Sequence, residues 1–177
     1  MDTFLSTAEE SIEPALQGSE RPAGAAVRSY YELTRQIERL HRRFLDVLRA
    51  GLVQMGNSDV TAVQALLLVN IGTEECSMRE LMERGYYLGS NAAYNIKKLV
   101  EGGYLEQQRS EHDRRAVCIR LTGKGLALYG QVCDLQQSLA GRLADAPGGT
   151  PREMNDACAS LRRLERVWTD FIDYRRP

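Results

Sequence analysis

The chain has 177 residues, 43% of them hydrophobic and 27% charged, with a formal net charge of −1 at pH 7. This balance suits one compact globular protomer and argues against global disorder or a membrane protein, since the longest apolar run, around Ala65 to Val69, is too short to span a bilayer. No cationic stretch leads into an apolar one near the N-terminus, so no signal peptide is expected and a cytoplasmic location follows.

Met1 to Gly24 holds five acids and one arginine among Pro14, Gly18, Pro22 and Gly24. It reads as an acidic N-terminal arm, residues 1–24, with room for a short helix over Thr7 to Gln17. From Ala25 to Met55, Tyr30, Leu33, Ile37, Leu40, Phe44 and Val47 follow one another at steps of three and four residues. That rhythm predicts a long helix, residues 25–56, whose apolar stripe needs a partner helix. Its other faces carry Arg28, Arg35, Arg39, Arg42, Arg43 and Arg49.

Asp59 or Thr61 can cap the next helix, which runs through Val63, Leu66, Leu67 and Val69 to about Ile71 and stops at Gly72. Ser77 and Glu80 form an S-x-x-E capping box at the head of a short helix from Met78 to Arg84. Gly85 to Gly89 makes a turn into G-S-N-A-A-Y-N-I-K-K-L-V-E, a second helix that Gly102 and Gly103 terminate. On it Ala92, Ile96, Leu99 and Val100 form an apolar stripe, while Asn91, Tyr94, Asn95 and Lys98 share another face.

Two strands with a charged turn between them come next. Val117, Ile119 and Leu121 alternate with Cys118 and Arg120, so one face is buried and the other wet. Gly89 to Gly125 carries seven Lys/Arg against four Asp/Glu, and the turn concentrates Arg109, His112, Arg114 and Arg115. Two short helices with a glycine-bearing turn, the second bearing amide, phenol and ammonium groups, followed by a basic hairpin, make a winged helix-turn-helix over residues 57–124. The helix would enter a major groove and the hairpin arginines an adjacent minor groove. The candidate DNA contacts are Ser90, Asn91, Tyr94, Asn95, Lys97 and Lys98 on the helix. At the hairpin they are Arg109, Ser110, His112, Asp113, Arg114 and Arg115.

Thr122 begins a long helix with Leu126, Tyr129, Val132, Leu135, Leu139 and Leu143, broken at Pro147-Gly148-Gly149. A last helix from Pro151 to about Tyr174 places Met154, Ala157, Leu161, Leu164, Trp168 and Phe171 at steps of three and four. With the first helix, the segment 125–177 supplies more apolar stripe than one protomer needs. A homodimer is therefore expected, joined through Tyr30, Leu33, Ile37, Leu161, Leu164, Trp168 and Phe171. Two reading helices about 34 Å apart then require an inverted-repeat operator on double-stranded DNA.

Cys76, Cys118, Cys133 and Cys158 lie too far apart for a C-x-x-C pair and, with only His41 and His112, complete no zinc spacing, so no metal or cofactor is expected. They read as reduced thiols, Cys133 and Cys158 as small buried hydrophobes on helices and Cys76 as lying just before a helix N-terminus.

The run Asp113-Arg114-Arg115, five residues, Leu121-Thr122 and then Gly125 resembles the D-x-R-x-x-x-x-x-L-T-x-x-G signature of MarR-type regulators. The likeness extends from about Val27 to the C-terminus. It implies a fold that is mainly α with a small β-hairpin wing, flanked by long dimerisation helices, and a homodimeric transcription factor with Arg115 as wing arginine and Asp113 as the carboxylate that orients it. It also implies a repressor or dual regulator modulated by a small aromatic or anionic effector, with Arg39, His41 and Arg43 as cations for that ligand. The family's threonine and arginine are replaced here by Ala93 and Tyr94, so the operator sequence is this chain's own. The runs G-Y-Y-L-G-S-N-A-A-Y-N-I-K-K-L-V and D-V-T-A-V-Q-A-L-L-L-V-N-I-G are similar to the LdtR subgroup, which implies control of cell-wall remodelling or stress genes.

The chain has no nucleophile elbow, phosphate-binding loop or metal-spaced cluster, so an enzyme is not expected. A winged-helix protein-interaction module without DNA binding is the competing reading. It requires an apolar or acidic outer face on the reading helix, where this sequence has Asn91, Asn95 and Lys98.

Overall fold

The computed structural model describes residues 22–85, 89–109 and 117–174. Along them run α1 (Pro22–Gln54), α2 (Ala62–Ile71), β1 (Cys76–Ser77), α3 (Met78–Gly85), α4 (Gly89–Glu101), β2 (Leu105–Arg109), β3 (Val117–Leu121), α5 (Gly123–Ala144) and α6 (Pro151–Tyr174). The fold is mainly helical with a small antiparallel sheet, as expected, and no described helix is long and apolar enough to cross a membrane.

The local signals that start and stop these elements are visible as hydrogen bonds. Pro22 opens α1, three residues ahead of the expected start, where its missing N–H costs nothing. Of the two expected caps for α2, Thr61 serves: its hydroxyl accepts from Gln64 N at 3.2 Å, and the Gln64 side chain accepts in return from Thr61 N at 2.9 Å. The Ser77–Glu80 box closes the same way, with Ser77 N donating to Glu80 Oε2 at 2.7 Å and Glu80 N to Ser77 Oγ at 3.2 Å. Thr122 caps α5 by accepting from Gly125 N at 3.1 Å.

The core gathers where these elements meet. Leu48 and Leu52 near the end of α1, Leu67, Leu68 and Ile71 on α2, and Leu81 on α3 pack with Ile96 and Leu99 on α4, Leu105 and Ile119 on the sheet, and Leu128 and Val132 on α5. Not every apolar residue of a predicted stripe is inside. Val63, Leu126 and Leu143 are exposed.

The sheet differs from the expected hairpin by one strand. Its order is β1-β3-β2, with Cys76 opposite Ile119 and Ser77 opposite Cys118 on one side, and Leu105 opposite Leu121 on the other. A two-residue strand has no alternation to read, so Cys76, expected only to precede a helix, lies buried in a ladder instead. The wet face of the hairpin is closed by Arg120 Nε on Glu106 Oε1 at 2.6 Å, a directly cross-strand pair.

Outside the core the long helices are sparsely covered. Helix α6 runs for 24 residues with no buried side chain. This overturns the expectation that Cys158 is buried: it is exposed, because α6 has only partly covered residues such as Leu164 and none that is buried, while Cys133 on α5 is half-buried beside the buried Val132. Trp168 Nε1 donates to the Tyr30 hydroxyl at 3.1 Å, linking α6 to the start of α1.

Candidate nucleic-acid interface

Helix α4 owes its orientation to its apolar side. Ala92, Ile96 and Leu99 are each 1% exposed and Val100 is half-buried, so the opposite side is turned to solvent. There Asn91 and Ala93 are exposed, Tyr94 is 61% exposed, and Lys97 and Lys98 extend outward. Asn95 is half-buried and donates its Nδ2 to the Asn91 carbonyl at 2.9 Å, one turn back on the same helix. An exposed row of amides, a phenol and ammonium groups has the donors and acceptors that base edges and phosphates require.

Glu101, which the sequence reading did not single out, is part of this face. Its Oε2 lies 2.8 Å from Lys98 Nζ and its Oε1 3.9 Å from Lys97 Nζ. Hydrogen bonding with Glu101 holds the Lys98 ammonium above its ordinary range, and the same bond holds the Glu101 carboxyl below its own.

The base of the wing is clamped to the end of α4. The Tyr104 hydroxyl donates to both carboxylate oxygens of Asp59 at 3.0 Å, and Lys124 Nζ reaches Asp59 Oδ2 at 3.3 Å and the Gly102 carbonyl at 3.0 Å. The same ammonium lies 3.9 Å from the centre of the Tyr104 ring. Lys124 in the first turn of α5 faces the positive end of a helix dipole, and these contacts offset that placement. Thr122 Oγ1 donates to the Gly103 carbonyl at 2.7 Å, and Thr122 N to the Tyr104 carbonyl at 3.1 Å. Gly103, at φ +74, supplies the left-handed step by which the chain leaves α4 for β2.

This clamp gives the L-T-x-x-G part of the signature a physical meaning. Leu121 is 7% exposed and packs opposite Leu105, Thr122 caps α5, and a Cβ on Gly125 would stand 2.1 Å from the Tyr104 carbonyl oxygen. Only glycine lets α5 approach the wing base so closely.

The Tyr104 hydroxyl lowers the Asp59 carboxyl below its usual value, with Lys124 assisting, while burial raises the Tyr104 phenol. A depressed carboxylate stabilises the fold fully above about pH 4, and that contribution is lost as pH falls through its lowered native value. A Tyr104→Phe chain is expected to lose about 1 kcal/mol at neutral pH, a modest figure because Asp59 is more than half exposed. The difference from wild type should shrink in acid. Urea melts at neutral and acidic pH check both the size and the sign.

Residues 60–125 match the winged helix DNA-binding domain family. The exopolysaccharide II synthesis transcriptional activator ExpG of Rhizobium meliloti is 38% identical over 148 residues, 82% of this chain and 75% of the relative. The fold is similar to FabT of Streptococcus pneumoniae in complex with DNA, with a TM-score of 0.66 at 18% identity over 80% of this chain and 99% of that one. It is also similar to a cysteine-to-serine variant of E. coli MarR complexed with operator DNA, with a TM-score of 0.59 at 22% identity over 77% and 95%. The chain belongs to the MarR family of winged helix-turn-helix regulators. Like its relatives it is a DNA-binding transcriptional regulator and not an enzyme.

Within this MarR-family frame the predicted contacts fall into two groups. Ser90, Asn91, Tyr94, Asn95, Lys97 and Lys98 all lie on α4, Ser90 in its first turn. Arg109 is the last residue of β2, opposite Val117. Ser110, His112, Asp113, Arg114 and Arg115 lie outside the described residues, as do the N-terminal arm to Arg21 and the turn 86–88. Among the dimerisation residues Leu33, Ile37 and Leu164 are half-buried, while Tyr30, Leu161, Trp168 and Phe171 are exposed. Arg39, His41 and Arg43 stand exposed on α1, with Arg43 4.0 Å from Asp46. The described residues contain no cluster of side chains suited to a metal ion.

Proposed function

We propose that this regulator acts as a homodimer that inserts α4 of each protomer into successive major grooves of an inverted-repeat operator, with the wing tip reaching the flanking minor groove. The observation that carries the reading is the division of α4. Its buried side is engaged by the core, and its polar side, with Asn91, Tyr94, Lys97 and Lys98 exposed, is rich in reading groups. The organisation that goes with it is an acidic arm over 1–24, a dimerisation helix over 25–56, the reading domain over 57–124 and dimerisation helices over 125–177. Such a protein works where the chromosome is, in the cytoplasm.

Dimerisation is supported by the large apolar residues left exposed on α1 and α6: Tyr30, Tyr31 and Phe44 on the first, Leu161, Phe171 and Ile172 on the second. The relation to ExpG favours an activating role on surface-polysaccharide genes, and the LdtR-like run favours wall remodelling. Both point to genes of the cell envelope. Arg39 and Arg43, with His41 beside them on α1, are the residues we assign to a small aromatic or anionic effector; calorimetry with salicylate is expected to show weaker binding to Arg39→Ala and Arg43→Ala chains.

Selection of bound fragments from a random duplex pool tests the DNA reading. The recovered sites should be inverted repeats with half-sites one helical turn, about 34 Å, apart. Arg115→Ala is expected to weaken binding to the selected duplex and to flatten its dependence on log salt by about one unit for each phosphate that the side chain would have neutralised. Recovery of no enriched sequence, or an unchanged slope, speaks against this assignment.

A further inference from the structure

We infer that Glu101 is a built-in counter-charge on the reading helix, holding Lys98 and Lys97 back from phosphates and so setting the affinity for any duplex below what the lysines alone would give. The inference rests on α4 being the DNA-contacting helix. One carboxylate spans both cations, at 2.8 Å and 3.9 Å, on the face that looks away from the core. All three side chains are about half exposed or more, so a polyanion can reach them.

Apart from the slight stabilisation that such pairs within one helix contribute, no structural duty explains an acid at this position. A carboxylate in the last turn meets the negative end of the helix dipole, which disfavours it. Packing does not need it, because α4 meets the core through Ala92, Ile96 and Leu99. Closure of the helix end does not need it either. Gly102 N returns to the Lys98 carbonyl at 2.9 Å, and Lys124 Nζ already donates to the Gly102 carbonyl at 3.0 Å.

What the carboxylate does change is the ionic balance of the face. A free lysine that lands on a phosphate releases condensed counterions and steepens the salt dependence of binding by about 0.9 in log–log slope. A lysine already neutralised by Glu101 must first give up that partner, and the displaced carboxylate then stands near the phosphates and repels them. The cost is largest for non-specific complexes, which depend almost entirely on phosphate contacts.

The test is Glu101→Gln, which keeps the side chain's length and removes its charge. Fluorescence anisotropy across a salt series, on a random-sequence duplex and on a duplex selected by the wild-type chain, gives affinity and slope. The variant is expected to bind the random duplex close to tenfold tighter near 0.1 M salt and with a slope steeper by about 0.9 for each lysine released. Circular dichroism should report an unaltered fold. On a Lys98→Gln background the gain should shrink. An unchanged slope overturns the inference, and weaker binding overturns it in favour of a role in positioning Lys98. If the wild-type chain binds neither duplex, the assignment of α4 fails first, and the inference falls with it.

Discussion

A chain carrying Leu161→Asp and Phe171→Asp is expected to sediment as a monomer at micromolar concentration and to bind an inverted-repeat operator at least a hundredfold more weakly. Leu161 is 42% and Phe171 58% exposed in the single chain, on a helix with no buried residue. Charging them therefore removes little that holds the protomer core together. In a symmetric dimer each substitution acts twice, and each large apolar side chain taken from a buried site costs about 1.5–3 kcal/mol. The introduced carboxylates add a desolvation penalty. Four such losses amount to about 6 kcal/mol or more, about four orders of magnitude in the dimer dissociation constant. A monomer also forfeits the second half-site, whose binding in the dimer is intramolecular and worth about two to four orders of magnitude. Analytical ultracentrifugation and anisotropy measure the two effects separately. A double variant that remains dimeric would locate the interface elsewhere.

Gly125→Ala is expected to destabilise the chain by about 3 kcal/mol and lower the melting temperature by about 10 °C, within the range of severe single substitutions. The new methyl would meet the Tyr104 carbonyl oxygen at 2.1 Å and its carbon at 3.1 Å, both backbone atoms that cannot rotate aside. Relief requires β2 and the start of α5 to separate. That movement breaks the bonds from Thr122 N and Oγ1 to the same carbonyl, at 3.1 and 3.2 Å, and loosens the wing from α4. Affinity for DNA should fall along with stability. Gly123→Ala is the matched control: nothing lies within 4 Å of its added Cβ, and alanine favours the helix by up to about 1 kcal/mol. Calorimetric scans of the pair distinguish a steric requirement at one glycine from a general intolerance of change in this turn. Equal melting temperatures for both would remove the close-approach argument.

The two expected effects arise from different parts of the chain, and those parts are not equally legible. Element starts and stops are readable because they depend on neighbours three or four residues away: Thr61 with Gln64, Ser77 with Glu80, and Thr122 with Gly125 each close a local ring. The apolar period of α4 likewise locates its buried side, and hence the face carrying Asn91, Tyr94 and Lys98. Strand β1 is invisible in the sequence because two residues have no period, and its strand character comes from pairing with Ile119 and Cys118 more than forty positions later. Asp59 reads as a candidate helix cap because nothing near it in the chain announces Tyr104 and Lys124, its partners in the fold.

Short-range spacing and a recognisable signature were enough to give the family, the order of helices and wing, and the side of the reading helix that faces outward. Two further features emerge only on folding: Asp59, Tyr104 and Lys124 fasten the wing to the reading helix, and Gly125 permits a close backbone approach; the sharing of Glu101 between two lysines lies within one helical turn and is written in the spacing. The difference is one of range. Helix periodicity and capping act over one turn of chain, whereas steric contact, hydrogen bonding and ion pairing act over a few ångströms of space, which folding brings about between residues as much as 138 positions apart.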